Sequence, residues 1–317
     1  MSLIRKGAIA AILTLLLSFL CAAAPKTVIP GGNTIGLRLR TNGVAVVELS
    51  SSVPKKAGLK CGDVICEIDG KRVTSVQEVT QAVERAQGAP LALTVARGGE
   101  QERLTISPTQ TADGWRLGIF VRDTVSGIGT VTYYDAEAAT FGALGHGVND
   151  GGTLLPIVSG TALPSVVGSV IRGEKGEPGA LQGVVNGRTV SGTIEKNTPQ
   201  GVFGSMSAPQ GTPVPVADSK SIHAGEATIL SNVRGTQVET FDIRITALAP
   251  DDPHDRNLLI EVTDPDLLAA TGGIVQGMSG SPILQDGKLV GAVTHVLIDD
   301  PTQGYGIFIE NMLAAAA

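Results

Sequence analysis

Apolar and polar positions alternate twice near the start of the chain. Ile35-Gly36-Leu37-Arg38-Leu39 and Val44-Ala45-Val46-Val47-Glu48-Leu49 read as strands with one buried face each. The period then lengthens. Ser75-Val76-Gln77-Glu78 has the form of a capping box and opens a helix that carries Val76, Val79, Val83 and Ala86 on one face. Leu91–Val95 and Arg103–Ile106 return to the strand pattern and close this unit. Two stretches lack periodicity and read as linkers: 25–33, with Pro25, Pro30, Gly31, Gly32 and Asn33, and 108–117, with Pro108, Gly114 and Trp115. From residue 118 to residue 317 short apolar runs alternate with glycine turns. Candidate strands are Gly129–Tyr134, Leu154–Val158, Ser165–Ile171, Leu181–Val185, Val190–Ile194, Ala227–Leu230, Thr236–Leu248 and Leu258–Val262, which suggests a β-barrel or a pair of barrels. No internal repeat is visible.

Composition supports a β-rich chain of two domains. The 317 residues are 42% hydrophobic but only 3% aromatic, with 41 glycines, so the cores must be built from Val, Ile, Leu and Ala between tight turns. A net charge of −6 with no basic run argues against nucleic acid as a partner. Arg5 and Lys6 precede an apolar run from Ala8 to Leu20 and then Ala22-Ala23-Ala24. Residues 1–24 therefore read as a signal peptide or membrane anchor, with the remainder exported. Cys21 lies in that segment, and Cys61 and Cys66 read as isolated packing cysteines. No His/Cys cluster has metal-ligand spacing, and no cofactor is expected.

The chemistry concentrates in Gly272-Gly273-Ile274-Val275-Gln276-Gly277-Met278-Ser279-Gly280-Ser281-Pro282-Ile283. A serine between glycines leads directly into Pro282-Ile283-Leu284, an Asp286-Gly287 hairpin turn and a returning strand. Glycines there let backbone N–H groups, those of Gly277 and Ser279, converge on an oxyanion beside the serine. Such a nucleophile needs a histidine base. His146, between Gly145 and Gly147 after an apolar stretch, is the first choice. His295, at the end of the strand after the hairpin, is the alternative, while His223 and His254 lie in polar stretches. Asp264, followed by Pro265 and an apolar-periodic run, reads first as a helix N-cap. It is also a candidate to orient the base, in rivalry with Asp123, Asp150, Asp242 and Asp252.

Ala57-Gly58-Leu59-x-x-Gly62-Asp63-Val64-Ile65 with Ile68-Asp69-Gly70 resembles the PDZ family over residues 34–107. The resemblance implies peptide binding by strand addition, with Ile35, Gly36 and Leu37 in the carboxylate-binding loop. Residues 118–317 resemble the peptidase domain of SpoIVB-type (stage IV sporulation protein B) serine peptidases. The matching pieces are Leu117–Asp123, Phe141–His146, Thr271–Ile283 and Asp300-Pro301-Thr302-x-Gly304-Tyr305-Gly306. This resemblance implies a trypsin-like β-barrel fold after the PDZ domain and a triad of His146, Asp264 and Ser279. It also implies a secreted endopeptidase that cleaves a regulatory membrane protein during sporulation and so triggers intramembrane proteolysis. The site of action would be the space between the forespore and mother-cell membranes. Alternatives are an HtrA-like quality-control protease, in which the PDZ follows the peptidase, and a non-catalytic PDZ-bearing binding protein.

Overall fold

The computed structural model of the protein describes residues 27–98, 100–150, 152–185 and 189–317; the export segment 1–24 and Cys21 lie outside them. Among the described residues no helix is long and apolar enough to cross a membrane.

The described chain opens with β1 (Thr27–Pro30) and β2 (Thr34–Leu49), so the first linker segment carries a strand. The sequence suggested two strands where β2 runs on as one, through both alternating segments. Then come α1 (Ser52–Lys56), β3 (Val64–Ile68), β4 (Lys71–Arg72), α2 (Val76–Ala86), β5 (Leu91–Arg97) and β6 (Glu100–Ile106). The capping box of α2 forms as expected: Ser75 and Glu78 each accept the other's backbone N–H, and Val79 and Val83 are buried. The Gly-Asp motif has a clear purpose here, because buried Asp63 accepts from Arg97 at 2.6 Å and from the Lys60 N–H at 2.8 Å. Cys61 and Cys66 are free thiols. The second expected linker is also structured. Its hairpin of β7 (Thr109–Thr111) and β8 (Gly114–Arg116) lays Trp115 over Gly88, where a Cβ would come within 2.7 Å of the indole.

Next is β9 (Ile119–Asp135), which pairs with β2 over Ile119–Thr130, with bulges on the β2 side, and with β1 and β10 beyond. β10 (Thr140–Ala143) follows, then a small pair, β11 (Asn149–Asp150) with β12 (Thr153–Leu154). β13 (Ile157–Ile171), β14 (Ala180–Val185), β15 (Gly192–Thr198), β16 (Gly201–Met206) and β17 (Val214–Pro215) complete this half. The pairings β9-β10-β16-β15-β13-β2 return to β9 and close a six-stranded barrel. A second closed barrel runs β18-β19-β20-β23-β22-β21. Its strands are β18 (Gly225–Arg234), β19 (Gln237–Leu248), β20 (Leu258–Val262), β21 (Pro282–Gln285), β22 (Lys288–Leu297) and β23 (Asp300–Phe308). In each barrel the first three strands are neighbours in order and the last three return in reverse, a likeness of topology that the sequence does not display. The helix α3 (Pro265–Thr271) precedes β21. The terminal helix α4 (Ile309–Ala316) buries Ile309, Met312 and Leu313 with Tyr133 and Phe203 of the first barrel and Leu289 and Ile307 of the second.

The sheet topology shows how the expected PDZ and peptidase segments are joined. The first barrel takes its first strand from residues 34–41 and its second from β9, and the PDZ fold lies in sequence between them. It is inserted into a barrel hairpin rather than placed before the barrel. Ile35, Gly36 and Leu37 are therefore not a ligand loop. They pair on one edge with Gly129, Ile128 and Gly127 and on the other with Pro164, Leu163 and Ala162, which leaves no edge for a peptide. Ile35, Leu37 and Leu39 all point into the first barrel's core, where each buried side chain contributes roughly 1.5–3 kcal/mol. Only β2's second half, from Val44, packs with the PDZ core of Ile65, Val79, Val83, Leu93 and Val95.

Two shortened chains separate the two divisions. Replacing residues 42–122 by an Asn-Gly turn should reconnect β2 to β9 as a plain hairpin and leave a cooperatively melting double barrel by circular dichroism. A chain beginning at Gly118 should fail to fold, because the first barrel then lacks a strand. Stable folding of the second chain and not the first would overturn the insertion topology.

Candidate active site

The cleft between the barrels, about 400 Å³, is lined by Ser279, Gly277 and Gln276 from the loop before β21, by His295 from β22 and by His146 from the loop after β10. The structure thus brings together the candidate nucleophile and the preferred base.

Their loops are shaped by few residues. Gly277 and Gly280 sit at φ +99° and +96°, in the left-handed region that favours glycine. A Cβ on Gly280 would fall 2.1 Å from the Thr130 carbonyl oxygen. Between these glycines Met278 is fully buried in the second barrel's core and anchors the turn. Among the described residues the N–H groups of Gly277 and Ser279 have no hydrogen-bond acceptor, so two backbone donors stand free beside the serine. Ser281 is buried and donates to Ser231, away from the cleft.

The His146 loop is held from the other barrel strand that faces it. Leu144 has φ +71°, unusual for a residue with a side chain and costing roughly 1–2 kcal/mol, and the Gly145 N–H bonds back to the Ala143 carbonyl at 3.0 Å. The strain persists because the Leu144 side chain fills the space left by Gly129. Thr130 of β9 joins the two loops. Its N–H donates to the Ser279 carbonyl (3.0 Å), its hydroxyl to the Gly277 carbonyl (2.7 Å), and its own carbonyl accepts the Leu144 N–H (3.1 Å). Thr132 adds a hydroxyl donation to the Gly280 carbonyl (2.8 Å). Sequence reasoning missed both threonines, which carry no local signal.

His146 Nδ1 lies 2.9 Å from the Gly147 carbonyl oxygen. A carbonyl only accepts, so Nδ1 carries the proton and Nε2 keeps its lone pair. Burial pushes the imidazole below its ordinary pKa. The His295 ring stands 4.9 Å from it, centroid to centroid. Desolvation first, then the facing His146 and Arg256, push His295 down to about 4. Both imidazoles are therefore neutral at pH 7. Ser279 Oγ donates not to a histidine but to the Thr294 carbonyl, at 2.7 Å.

Asp264 is not brought to His146. One carboxylate oxygen accepts the N–H groups of Asp266 and Leu267, each at 2.9 Å, as the N-cap of α3, and the other accepts the Asp242 N–H at 3.2 Å. The cap reading holds, and the orienting role carried over from the family does not appear in this geometry. Among the rivals, Asp123 accepts the Val76 N–H at the start of α2, and Asp252 accepts those of His254 and Arg256; the side chain of Asp150 lies outside the described structure. His223 and His254 are exposed, His223 beside Asp286. Among the described residues no group of three His, Cys, Asp or Glu side chains is placed to hold a metal ion.

Thr130→Val keeps the volume and the N–H bond but removes the hydroxyl from the Gly277 carbonyl. It should cost about 1–2 kcal/mol of stability, read from urea unfolding. Reactivity of Ser279 toward a fluorophosphonate should fall further than in Thr132→Val, because Gly277 carries one of the free donors and Gly280 does not. Equal reactivity in the two variants would separate Thr130 from the site.

The profile of the SpoIVB peptidase S55 family matches residues 113–313, and that of the PDZ domain matches residues 34–107. The serine protease HTRA1 of Xenopus tropicalis is 38% identical over 71 residues, 22% of this chain and 15% of that protein. A putative zinc metalloprotease of Vibrio cholerae is 27% identical over 119 residues, 37% of this chain and 26% of that protein. The chain thus spans about a quarter or less of the length of these relatives. The Rv3671c protease of M. tuberculosis, in its active form, aligns over 61% of this chain and 75% of its own at 14% identity, with a TM-score of 0.33. The peptidase profile takes in well over half of the chain, beside a PDZ domain, and the protein belongs to the SpoIVB peptidase S55 family of serine peptidases.

Proposed function

We propose that the chain is a serine endopeptidase in which Ser279 is the nucleophile, His146 the general base, and the N–H groups of Gly277 and Ser279 the oxyanion hole. The observation that carries this reading is the meeting, in one cleft, of a serine beside two unpartnered backbone donors with an imidazole whose Nε2 lone pair is free. Substrate binding turns Oγ from the Thr294 carbonyl toward His146. Oγ attacks the peptide carbon and its proton passes to Nε2. The two N–H groups hold the resulting oxyanion, and His146 then gives the proton to the leaving amine. Water repeats the sequence on the acyl-enzyme and restores Ser279. The Gly147 carbonyl fixes the tautomer that a carboxylate fixes in a full triad, so the reacting unit is a dyad, with Asp264 supporting α3.

Membership of the family supports a protein or peptide substrate. The resemblance further suggests an exported enzyme that cleaves a membrane-bound regulatory protein in sporulation signalling, acting between the forespore and mother-cell membranes. The inserted position of the PDZ favours this over an HtrA-like arrangement. A peptide ligand of the PDZ would add beside Ile119–Val121, whose strand pairing among the described residues is with β2, rather than at Ile35–Leu37, where both edges are taken.

Ser279→Ala should abolish peptide hydrolysis and fluorophosphonate labelling, a loss of about 10⁴–10⁶ in kcat, while the chain still folds cooperatively and loses no more than the one bond to the Thr294 carbonyl, about 1 kcal/mol. His146→Ala combined with it should add little, since the two act as one unit. Activity surviving in Ser279→Ala would eliminate the nucleophile assignment. In kcat/KM the rising limb should have its midpoint below the ordinary histidine value of about 6.5, because His146 is active when neutral and burial lowers its pKa.

Asp264→Asn retains an equally good cap and should keep activity within about threefold, whereas Asp264→Ala should lose about 1 kcal/mol of stability. A fall of about 10³ or more in Asp264→Asn would show instead that this carboxylate serves the imidazole.

A further inference from the structure

Gly127 and Gly129 lie on the same face of β9, opposite Leu37 and Ile35 of β2. Their missing side chains leave different things behind. At Gly129 the space is filled: a Cβ would fall 1.9 Å from the Leu144 side chain. At Gly127 a Cβ would meet no heavy atom within 4 Å. The open space is part of the cleft that holds Ser279 and His146, and its walls are Leu37, Leu39, Val125, Leu144 and Val148. Among the described residues no Asp, Glu, Lys or Arg lines the cleft, whose polar lining is Ser126, His146, Asn149, Gln276, Ser279 and His295. An apolar recess therefore opens beside the reacting groups, at the root of the two strands between which the PDZ is inserted.

We propose that this recess receives the side chain of the substrate residue that follows the scissile bond and selects large aliphatic residues there. The inference rests on the peptidase reading above. The leaving amine takes its proton from His146, so the segment it begins departs past the His146 loop, whose Leu144, Gly147 and Val148 wall the recess. A leucine side chain finds apolar contact on several sides there. Glycine leaves the recess unfilled, and aspartate or lysine would lose water with no opposite charge among the described lining residues to offset it.

The test uses the full chain and a panel of quenched peptides that differ only in the residue after the scissile bond, with rates normalised to the fluorophosphonate-titrated site. In the wild type, kcat/KM for leucine should exceed that for glycine or aspartate by about 10-fold or more. Gly127→Leu places a side chain in the recess and should bring the leucine-to-alanine ratio to about one. Val148→Glu sets a carboxylate in the wall and should raise the lysine-to-leucine ratio about 10-fold or more. Labelling without any preference at this position, or variants that lower all peptides in proportion, would overturn the recess proposal alone. Absence of labelling in the wild type would remove the peptidase reading and the recess with it.

Discussion

A buried threonine in β9 gives all of its hydrogen-bonding groups to the loops that carry the reacting side chains. The Thr130 N–H and hydroxyl hold the Ser279 and Gly277 carbonyls, and its carbonyl holds the Leu144 N–H, two residues from His146. The two bonds to the nucleophile loop cross from the first barrel to the second, and the third stays within the first. They matter because the carbonyl of Gly277, once fixed, sets the direction of its peptide plane, and a free N–H must point at one place to stabilise an oxyanion. The close approach of the chains at this point also explains Gly280, where any side chain would collide with Thr130.

The same strand gives the molecule its domain arrangement. β9 begins in the PDZ, where Ile119–Arg122 pair with the second half of β2, and continues into the first barrel, where Thr124–Thr130 pair with the first half. The same two strands thus run from the PDZ to the nucleophile loop, with a bulge at residues 41–44 of β2 where the PDZ meets the barrel. No flexible tether separates the domains along this path, and the walls of the cleft include residues of both strands.

How far the sequence could be read follows from the range of each interaction. The nucleophile loop was legible because glycine, serine and the hairpin turn all sit within one short segment. Asp264 was legible as a cap for the same reason: its acceptors and donors are two and three residues apart. Ile35, Gly36 and Leu37 follow by position from the PDZ resemblance, and their alternation could not test that, since it reports one buried face but not what covers it. A PDZ strand and a barrel strand have the same pattern, and the barrel's claim rests on partners at 124–130 and 157–164. The threonines were invisible for a stronger form of that reason, since Thr130 and Thr132 bond to groups 147 and 148 residues away. The apparent linker at 108–117 was misread because its order comes from a short hairpin and from Trp115 packing on the PDZ core, neither of which shows as periodicity.

Amide hydrogen exchange at Thr130 tests the central claim most directly, that one threonine locks the two loops into a single site. A clamp of this kind requires the Thr130 N–H to exchange only through global unfolding, with protection equal to that of fully buried core amides such as Ile260. Exchange of Thr130 by local opening, while the strand cores of both barrels stay protected, would show that the nucleophile loop moves independently of β9 and would contradict the account.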